Sequence, residues 1–481
     1  MHPSAERRIL QLALLPFTMG ACRCLLSTDD PMTLFRIFAF GYVLMMSSVF
    51  CYAQVPPANF DESKVPNYVL PEPLRTKDGR NVDSPELWKE VRRPELLALF
   101  EQEMYGKLPL PLLPIDNLQT IGLSVRITGL GTMDRTVFNG KGTRHQLRLH
   151  LGKEGQDFKN DHPKIDVLIY LPNRTTGKIP AFIGLNFRGN HTVAADPGIH
   201  LGTVWKTPQG GWDARDNIFV PQPAQEEERG MRASRWQVEM ILDRGYALIT
   251  ANYNDIEPDF DGGSKLGVRR LIEQKGEPNE GNAIATWAWG LELIRDTVLR
   301  ADDFNLDPDK MAVIGHSRLG KTALWAGGTN PNFAIVISNN SGSGGAALSR
   351  REFGETLLLT NTARPHWFCD NFKKHGRDVQ SMPFDQHELI ALIAPRPVYI
   401  ASAVEDPWAD PKGEFLSGLY ADPVYRLLGT DGIAGVTEIP DIDCPVGGTI
   451  GYHIRTGVHD VTEYDWKQFL DFADKHFKQR R

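Results

Sequence analysis

From Ile165 onward, short apolar runs alternate with longer stretches of helical period. Ile165–Leu171, Ala181–Phe187, Ala247–Asn252, Met311–Gly315, Phe333–Ser338 and Pro397–Ser402 are apolar runs of strand length. A strand that is apolar on both faces is buried on both faces. These runs therefore predict a mostly parallel sheet covered by helices above and below. The helices are predicted at Trp236–Arg244 (stopped by Gly245), Ala283–Leu299, Arg318–Gly328 and Tyr464–Phe477.

Upstream the pattern differs. Residues 54–83 are rich in proline and polar side chains and predict a surface wrap. Ser84, followed by Pro85 and Glu86, is a helix start, and the helix is expected to break near Pro94 and end about Tyr105. Residues 119–151 read as antiparallel strands, with the alternation Leu147-Arg148-Leu149-His150-Leu151. No internal repeat and no linker is visible. Residues 54–481 therefore read as one domain, with an N-terminal wrap over 54–118.

Residues 1–53 stand apart. Arg36, the apolar run Ile37–Val49 and the small residues around Cys51-Tyr52-Ala53 have the layout of a secretory signal peptide cleaved before Gln54. Lipid attachment at Cys51 fits poorly behind bulky Phe50. Met32 is the expected initiator, with residues 1–31 an over-long start. The mature chain is expected to be secreted or periplasmic, and N-terminal sequencing of the exported protein tests this. Cys369 and Cys444 then remain, and the sequence leaves their pairing open.

Composition narrows the function classes. The 481 residues are 41% apolar and 23% charged, with 53 basic against 60 acidic side chains. That is enough apolar material for a large core, and it excludes a disordered or disulfide-scaffold chain. The slight acidity argues against nucleic-acid binding. No run after residue 54 is long enough to span a bilayer. No HExxH or clustered His/Cys spacing is present, so no metal or cofactor is expected. Gly342-Ser-Gly-Gly345 lacks the rest of a nucleotide-binding pattern. The protein is expected to be a monomer.

The candidate chemistry centres on Met311-Ala-Val-Ile-Gly315-His316-Ser317-Arg318-Leu-Gly320-Lys321. An apolar strand, a glycine, a serine and a helix start make a nucleophile elbow. Such a turn exposes the hydroxyl at the sheet's carboxyl end, beside helix N–H groups. Gly315 is expected to absorb the strained backbone and Gly320 to let the helix approach the sheet. The second glycine lies one place later than in G-x-S-x-G. A triad then needs an acid and a histidine further on. Glu405 or Asp406, after the strand Pro397–Ser402, fits the acid, with Asp410 further out. His459, just before the last helix, fits the base. His316 is expected to shape the turn. His191 is open between an oxyanion or substrate loop and structure, and His366 and His387 are undecided.

Gly315-His-Ser317-Arg318-Leu-Gly320-Lys321 resembles the G-x-S-R-x-G-K signature of the glucuronoyl esterases, carbohydrate esterase family fifteen. Trp287-Ala-Trp289-Gly290, Ser341–Gly345, His366-Trp367-Phe368, Ile393–Val398 and Tyr452–Asp460 are similar too, in family order. The resemblance implies an α/β-hydrolase, a three-layer sandwich, cleaving esters of 4-O-methyl-glucuronic acid such as those joining xylan side chains to lignin alcohols. By matching positions it implies Ser317 as nucleophile, His459 as base and Arg318 as oxyanion holder. Lys321, Glu355 and Trp408 are the implied uronate contacts.

Two departures stand out. Many members carry the acid as Glu just before the Ser-Gly of the glycine-rich stretch, where this chain has Asn340. An amide cannot stabilise imidazolium by charge. As in some bacterial relatives, the acid is therefore expected after the later strand, at Asp406, with Glu405 next. The cysteines flanking nucleophile and base in fungal members are replaced by His316 and Asp460. Two other readings stay open: another exported carbohydrate esterase, such as an acetyl-xylan esterase, or a non-catalytic polysaccharide-binding relative.

Overall fold

The computed structural model describes residues 57–108, 115–155, 158, 162–212, 219–272 and 274–478. By its contacts the chain divides into two units, Met1–Pro56 and Pro57–Arg481. The leader and signal-peptide reading of residues 1–53 lies outside the described residues. Among the described residues, no helix is long and apolar enough to cross a membrane.

In chain order the elements that matter are helix α1 (Arg93–Glu103) and strands β1 (Leu123–Gly129), β2 (Asp134–Thr136), β3 (Gly142–Lys153), β4 (Lys164–Pro172) and β5 (Ile179–Asn186). A hairpin of β6 (Thr203–Lys206) and β7 (Val220–Pro223) follows, then β8 (Ala247–Asn252), α2 (Ala283–Leu299), β9 (Leu306–His316), α3 (Arg318–Thr329) and β10 (Ile335–Asn339). Next come β11 (Val398–Ala403), α4 (Pro411–Leu427), β12 (Val446–Gly447), β13 (Ile450–Arg455) and α5 (Glu463–Lys478).

The main sheet runs β1-β3-β4-β8-β5-β9-β10-β11-β13-β12, with β2 beside β3. The six strands from β8 to β13 are mutually parallel, and the flanking pairs are antiparallel. Alternate residues of the parallel strands feed two cores. Ile183 and Val313 pack with α2, α3 and α4 on one face. Phe182, Ala312 and Ile314 pack with α5 and the short helix Val238–Asp243 on the other. That is why these strands read as unbroken apolar runs. The result is a three-layer α/β sandwich.

The predicted bounds of β8 and α2 coincide with those observed. The expected helix from Ser84 is interrupted by a wide turn at Trp88–Arg92. Pro94 has no N–H to continue the helical ladder, and Arg93 N–H reaches back to the Trp88 carbonyl instead. The pattern missed the β6–β7 hairpin, whose polar and proline-rich strands carry no clean alternation. It also missed α4, which has proline at its first position and Pro423 inside it. Cys369 is buried, Cys444 is exposed, and both are free thiols.

Candidate active site

Four neighbouring parallel strands end at one edge of the sheet, and each hands over a residue to the same region. Ser317 follows β9, Asn340 follows β10, Asp406 follows β11 and His459 follows β13. Strand carboxyl ends are where loops of an open α/β sheet converge on ligands.

Ser317 sits at φ 57°, ψ −129°, a conformation that costs a non-glycine residue about 1–3 kcal/mol and persists only where packing enforces it. Its N–H donates to the Asn339 carbonyl at 2.9 Å, which tethers the turn to β10. The strain therefore lies on the serine, not on Gly315 as expected. Gly315 is needed for room, because a Cβ there would run into the Leu319 carbonyl. Gly320 lets α3 approach: a Cβ there would lie 2.9 Å from Ser341 Cβ. The Gly320 N–H closes the first turn on the Ser317 carbonyl at 2.8 Å, which leaves the Arg318 and Leu319 N–H groups without an intrahelical acceptor at the serine end, as an oxyanion requires.

His459 Nδ1 donates to Asp406 Oδ2 at 2.6 Å. A carboxylate can only accept, so this bond fixes the tautomer and leaves Nε2 as a proton acceptor. His459 and Ser317 line the same cleft, of about 340 Å³. Within the described residues the serine hydroxyl makes no hydrogen bond. Such contacts commonly tighten only when substrate fills a site. Asp406 is 4% exposed, whereas Glu405 is exposed and joins the network only by its backbone N–H, on the Gly457 carbonyl.

Asn340 is not a vacant acid position. It is buried at φ 47°, and its Nδ2 donates to Asp406 Oδ2 at 2.8 Å. Asp406 Oδ2 thus accepts from both His459 and Asn340. The amide orientation follows, since the opposite flip would set Asn340 oxygen against a carboxylate. Sequence reasoning read Asn340 as a loss; in the structure its amide is a donor to the Asp406 carboxylate.

Behind this pair, Glu414 carries the glycine-rich loop. Its Oε1 accepts from Ser341 N–H at 2.7 Å and Gly342 N–H at 3.0 Å, and its Oε2 lies 2.6 Å from Ser402 Oγ. Burial pushes its carboxyl from 4.5 up to about 8. Between those values the folded state holds a proton that the unfolded chain has lost. This group's contribution to stability therefore declines as pH rises from about 4.5 to 8. Glu414→Gln mimics the protonated acid and is expected to flatten the fall in melting temperature across that window. Identical pH slopes for the variant and wild type would contradict this.

Arg318 projects from the turn to Asp259, and Nη1 donates to Oδ2. Asp259 also accepts from Tyr253 Oη at 2.9 Å and Trp367 Nε1 at 2.7 Å, with His366 Nε2 at 2.8 Å. Burial opposes this carboxylate, but the Arg318 charge and the bonds from His366 and Trp367 outweigh it and hold the carboxyl far below its usual range. Arg318 lies over the Phe187 and Trp367 rings at 5.7 and 5.0 Å. Its guanidinium is thereby fixed beside the serine. Asp259 carries no local motif, and only its fold partners reveal it.

Lys321, one turn along α3, is buried. Its Nζ donates to the Ser341 carbonyl at 2.7 Å and lies 3.2 Å from Glu355 Oε2. Glu355 N–H donates to the Trp408 carbonyl at 2.9 Å, and the Trp408 ring is 44% exposed. The structure thus links these three residues to one another.

The remaining histidines divide plainly. His316 is buried, holds Asn339 Oδ1 at 2.6 Å and packs 4.5 Å from the His459 ring with the planes 42° apart. Burial, with the charge His459 would carry, pushes it far below its ordinary pKa. Asp460 pairs with Arg235, so a tilted ring contact and an ion pair stand where the fungal cysteines would be. His191 is buried beneath its loop, 3.5 Å from Glu228. His387 Nε2 meets the Pro71 carbonyl at 2.9 Å and pins the wrap. The cleft beyond Ser317 and His459 is lined by Trp205, Trp212, Trp236, Arg188 and Arg235, none foreseen from sequence.

A family profile described as "Glucuronyl esterase, fungi" matches residues 223–429. Carbohydrate esterase MZ0003, from an unknown prokaryotic organism, is 43% identical over 429 residues, covering 88% of this chain and 93% of that protein. The 4-O-methyl-glucuronoyl methylesterase 1 of Wolfiporia cocos is 29% identical over 255 residues, 50% of this chain and 62% of that one. A solved glucuronoyl esterase from Solibacter usitatus superposes with TM-score 0.77 at 44% identity, over 86% of this chain and all of that structure.

Proposed function

Because the chain belongs to the glucuronoyl esterase family and is a carboxylic ester hydrolase of α/β-hydrolase fold, we propose that Ser317, His459 and Asp406 are its triad. On this reading the substrates are esters of 4-O-methyl-glucuronic acid, as in linkages between glucuronoxylan and lignin alcohols. The observation that carries it is the 2.6 Å bond from His459 Nδ1 to buried Asp406, in the cleft that Ser317 enters from a strained elbow.

His459 Nε2 takes the Ser317 proton as Oγ bonds to C6 of the uronate. The oxyanion draws on the first N–H groups of α3 and on the Arg318 guanidinium. The C6–O bond to the alcohol breaks as His459 returns the proton to that oxygen. Water then adds to the acyl carbon by the same route, giving free uronate and regenerated serine. Asp406 stays ionised and stabilises the imidazolium. The uronate lies toward Lys321, Glu355 and Trp408, where a carboxylate and an ammonium meet hydroxyls and the indole face meets apolar C–H groups. The alcohol leaves on the His459 side, into the cleft lined by Trp205, Trp212 and Trp236.

Asn340 was the motive for a non-catalytic reading. Its amide donates to Asp406, which supports an equipped triad instead. The test against the acetyl-esterase reading is a comparison of benzyl glucuronate with a simple acetyl ester. The wild type is expected to favour benzyl glucuronate in kcat/KM by at least about 100-fold, because a site built to hydrogen-bond its ligand can reject one lacking those groups by up to about 10⁴- to 10⁵-fold. Preference for the acetyl ester would overturn the substrate assignment.

A further inference from the structure

The contacts that join Lys321, Glu355 and Trp408 continue past Trp408 to another aromatic ring. Phe60, from the N-terminal wrap, lies 6.3 Å from Trp408, ring centre to ring centre, with the planes 39° apart. Phe353 stands edge-on to Phe60 at 6.2 Å. Phe60 is 52% exposed, more than Trp408. Aromatic rings carry a large apolar surface, so two of them side by side in water call for an explanation.

Anchoring the wrap is not that explanation, because polar contacts on either side of Phe60 already do so. Gly354 N–H donates to the Asn59 carbonyl at 2.8 Å. Glu62 receives Arg351 Nη2 at 2.8 Å and Lys412 Nζ at 2.7 Å. Arg351 is itself buried and held by Asp410 at 2.8 Å. The backbone is therefore fixed on both sides of a ring left in solvent beside Trp408.

We propose that Phe60 adds a subsite beside Trp408 and stacks on a neutral backbone pyranose of the xylan chain that carries the uronate. The inference rests on the esterase reading above. A xylopyranose has no exocyclic carbon, so its faces present C–H groups that pack on an aromatic ring. The line from Lys321 and Glu355 through Trp408 to Phe60 runs from polar to apolar. That matches a ligand that changes from an acidic sugar to neutral ones. The subsite touches no reacting atom, so its contribution is to binding and should appear in KM.

The test compares Phe60→Ala, Phe60→Trp and wild type on two substrates: benzyl glucuronate, and the same benzyl ester carried on xylotriose. Phe60→Ala is expected to lower kcat/KM on the xylotriose ester about tenfold, or 1.4 kcal/mol, through KM. It should leave benzyl glucuronate within about twofold, and Phe60→Trp should retain the xylotriose preference. Equal losses on both substrates would show that Phe60 only supports Trp408, and no loss on either would show that it binds nothing; each overturns the subsite. Wild-type inactivity on both esters would overturn the esterase reading and the subsite with it.

Discussion

Ser317→Ala is expected to lower kcat on a glucuronate ester by about 10⁶-fold, to the level that oxyanion donors and binding alone provide. The same change should leave the melting temperature nearly unaltered, and the structure says why. The Ser317 hydroxyl makes no hydrogen bond among the described residues, so its removal leaves no buried partner unsatisfied. The turn is held by the Ser317 N–H on the Asn339 carbonyl and by the close fit at Gly315 and Gly320, none of which involves the side chain. Alanine tolerates φ 57° no worse than serine. Activity and thermal unfolding measured on the same preparation check both halves. Activity retained above about a thousandth of wild type would remove Ser317 from the mechanism.

Asp406→Asn is expected to cost on the order of 10³- to 10⁴-fold in kcat. Asn340 sets where in that range the loss falls. Asp406 Oδ2 accepts from both His459 and Asn340. In the variant, the donor on Asn340 favours placing the new amide's oxygen in that position. The His459 tautomer is then kept, and the main loss is the negative charge that stabilises imidazolium. Glu405→Gln is the control: its side chain is exposed, and activity should stay within about twofold. Near-wild-type turnover in Asp406→Asn, or a large loss in Glu405→Gln, would reassign the acid.

What the sequence made legible follows from what is local. The parallel strands are apolar on both faces, so Ala247–Asn252 and Ala283–Leu299 could be bounded from pattern alone. The elbow was visible because strand, glycine, serine and helix are consecutive. Its inner mechanics were not, since the choice of Ser317 rather than Gly315 for the strained conformation depends on how closely Leu319 packs. Asp259 was invisible because its partners Arg318, Tyr253, His366 and Trp367 come from separate segments. Asn340 was read from a family position as a missing charge, and only its contact with Asp406 showed it as a donor. The tryptophan-lined cleft was missed because β6 and β7 lack hydrophobic alternation.

The central claim is that one serine, activated by His459, bonds covalently to the substrate. The most direct measurement is inactivation by a phosphonate fluoride, followed by mass mapping of the labelled peptides. The expected result is one phosphonyl group per chain, on Ser317, with activity lost in proportion to labelling and labelling strongly slowed by His459→Ala. Loss of activity with the label on any other residue, or full activity with Ser317 labelled, would contradict it.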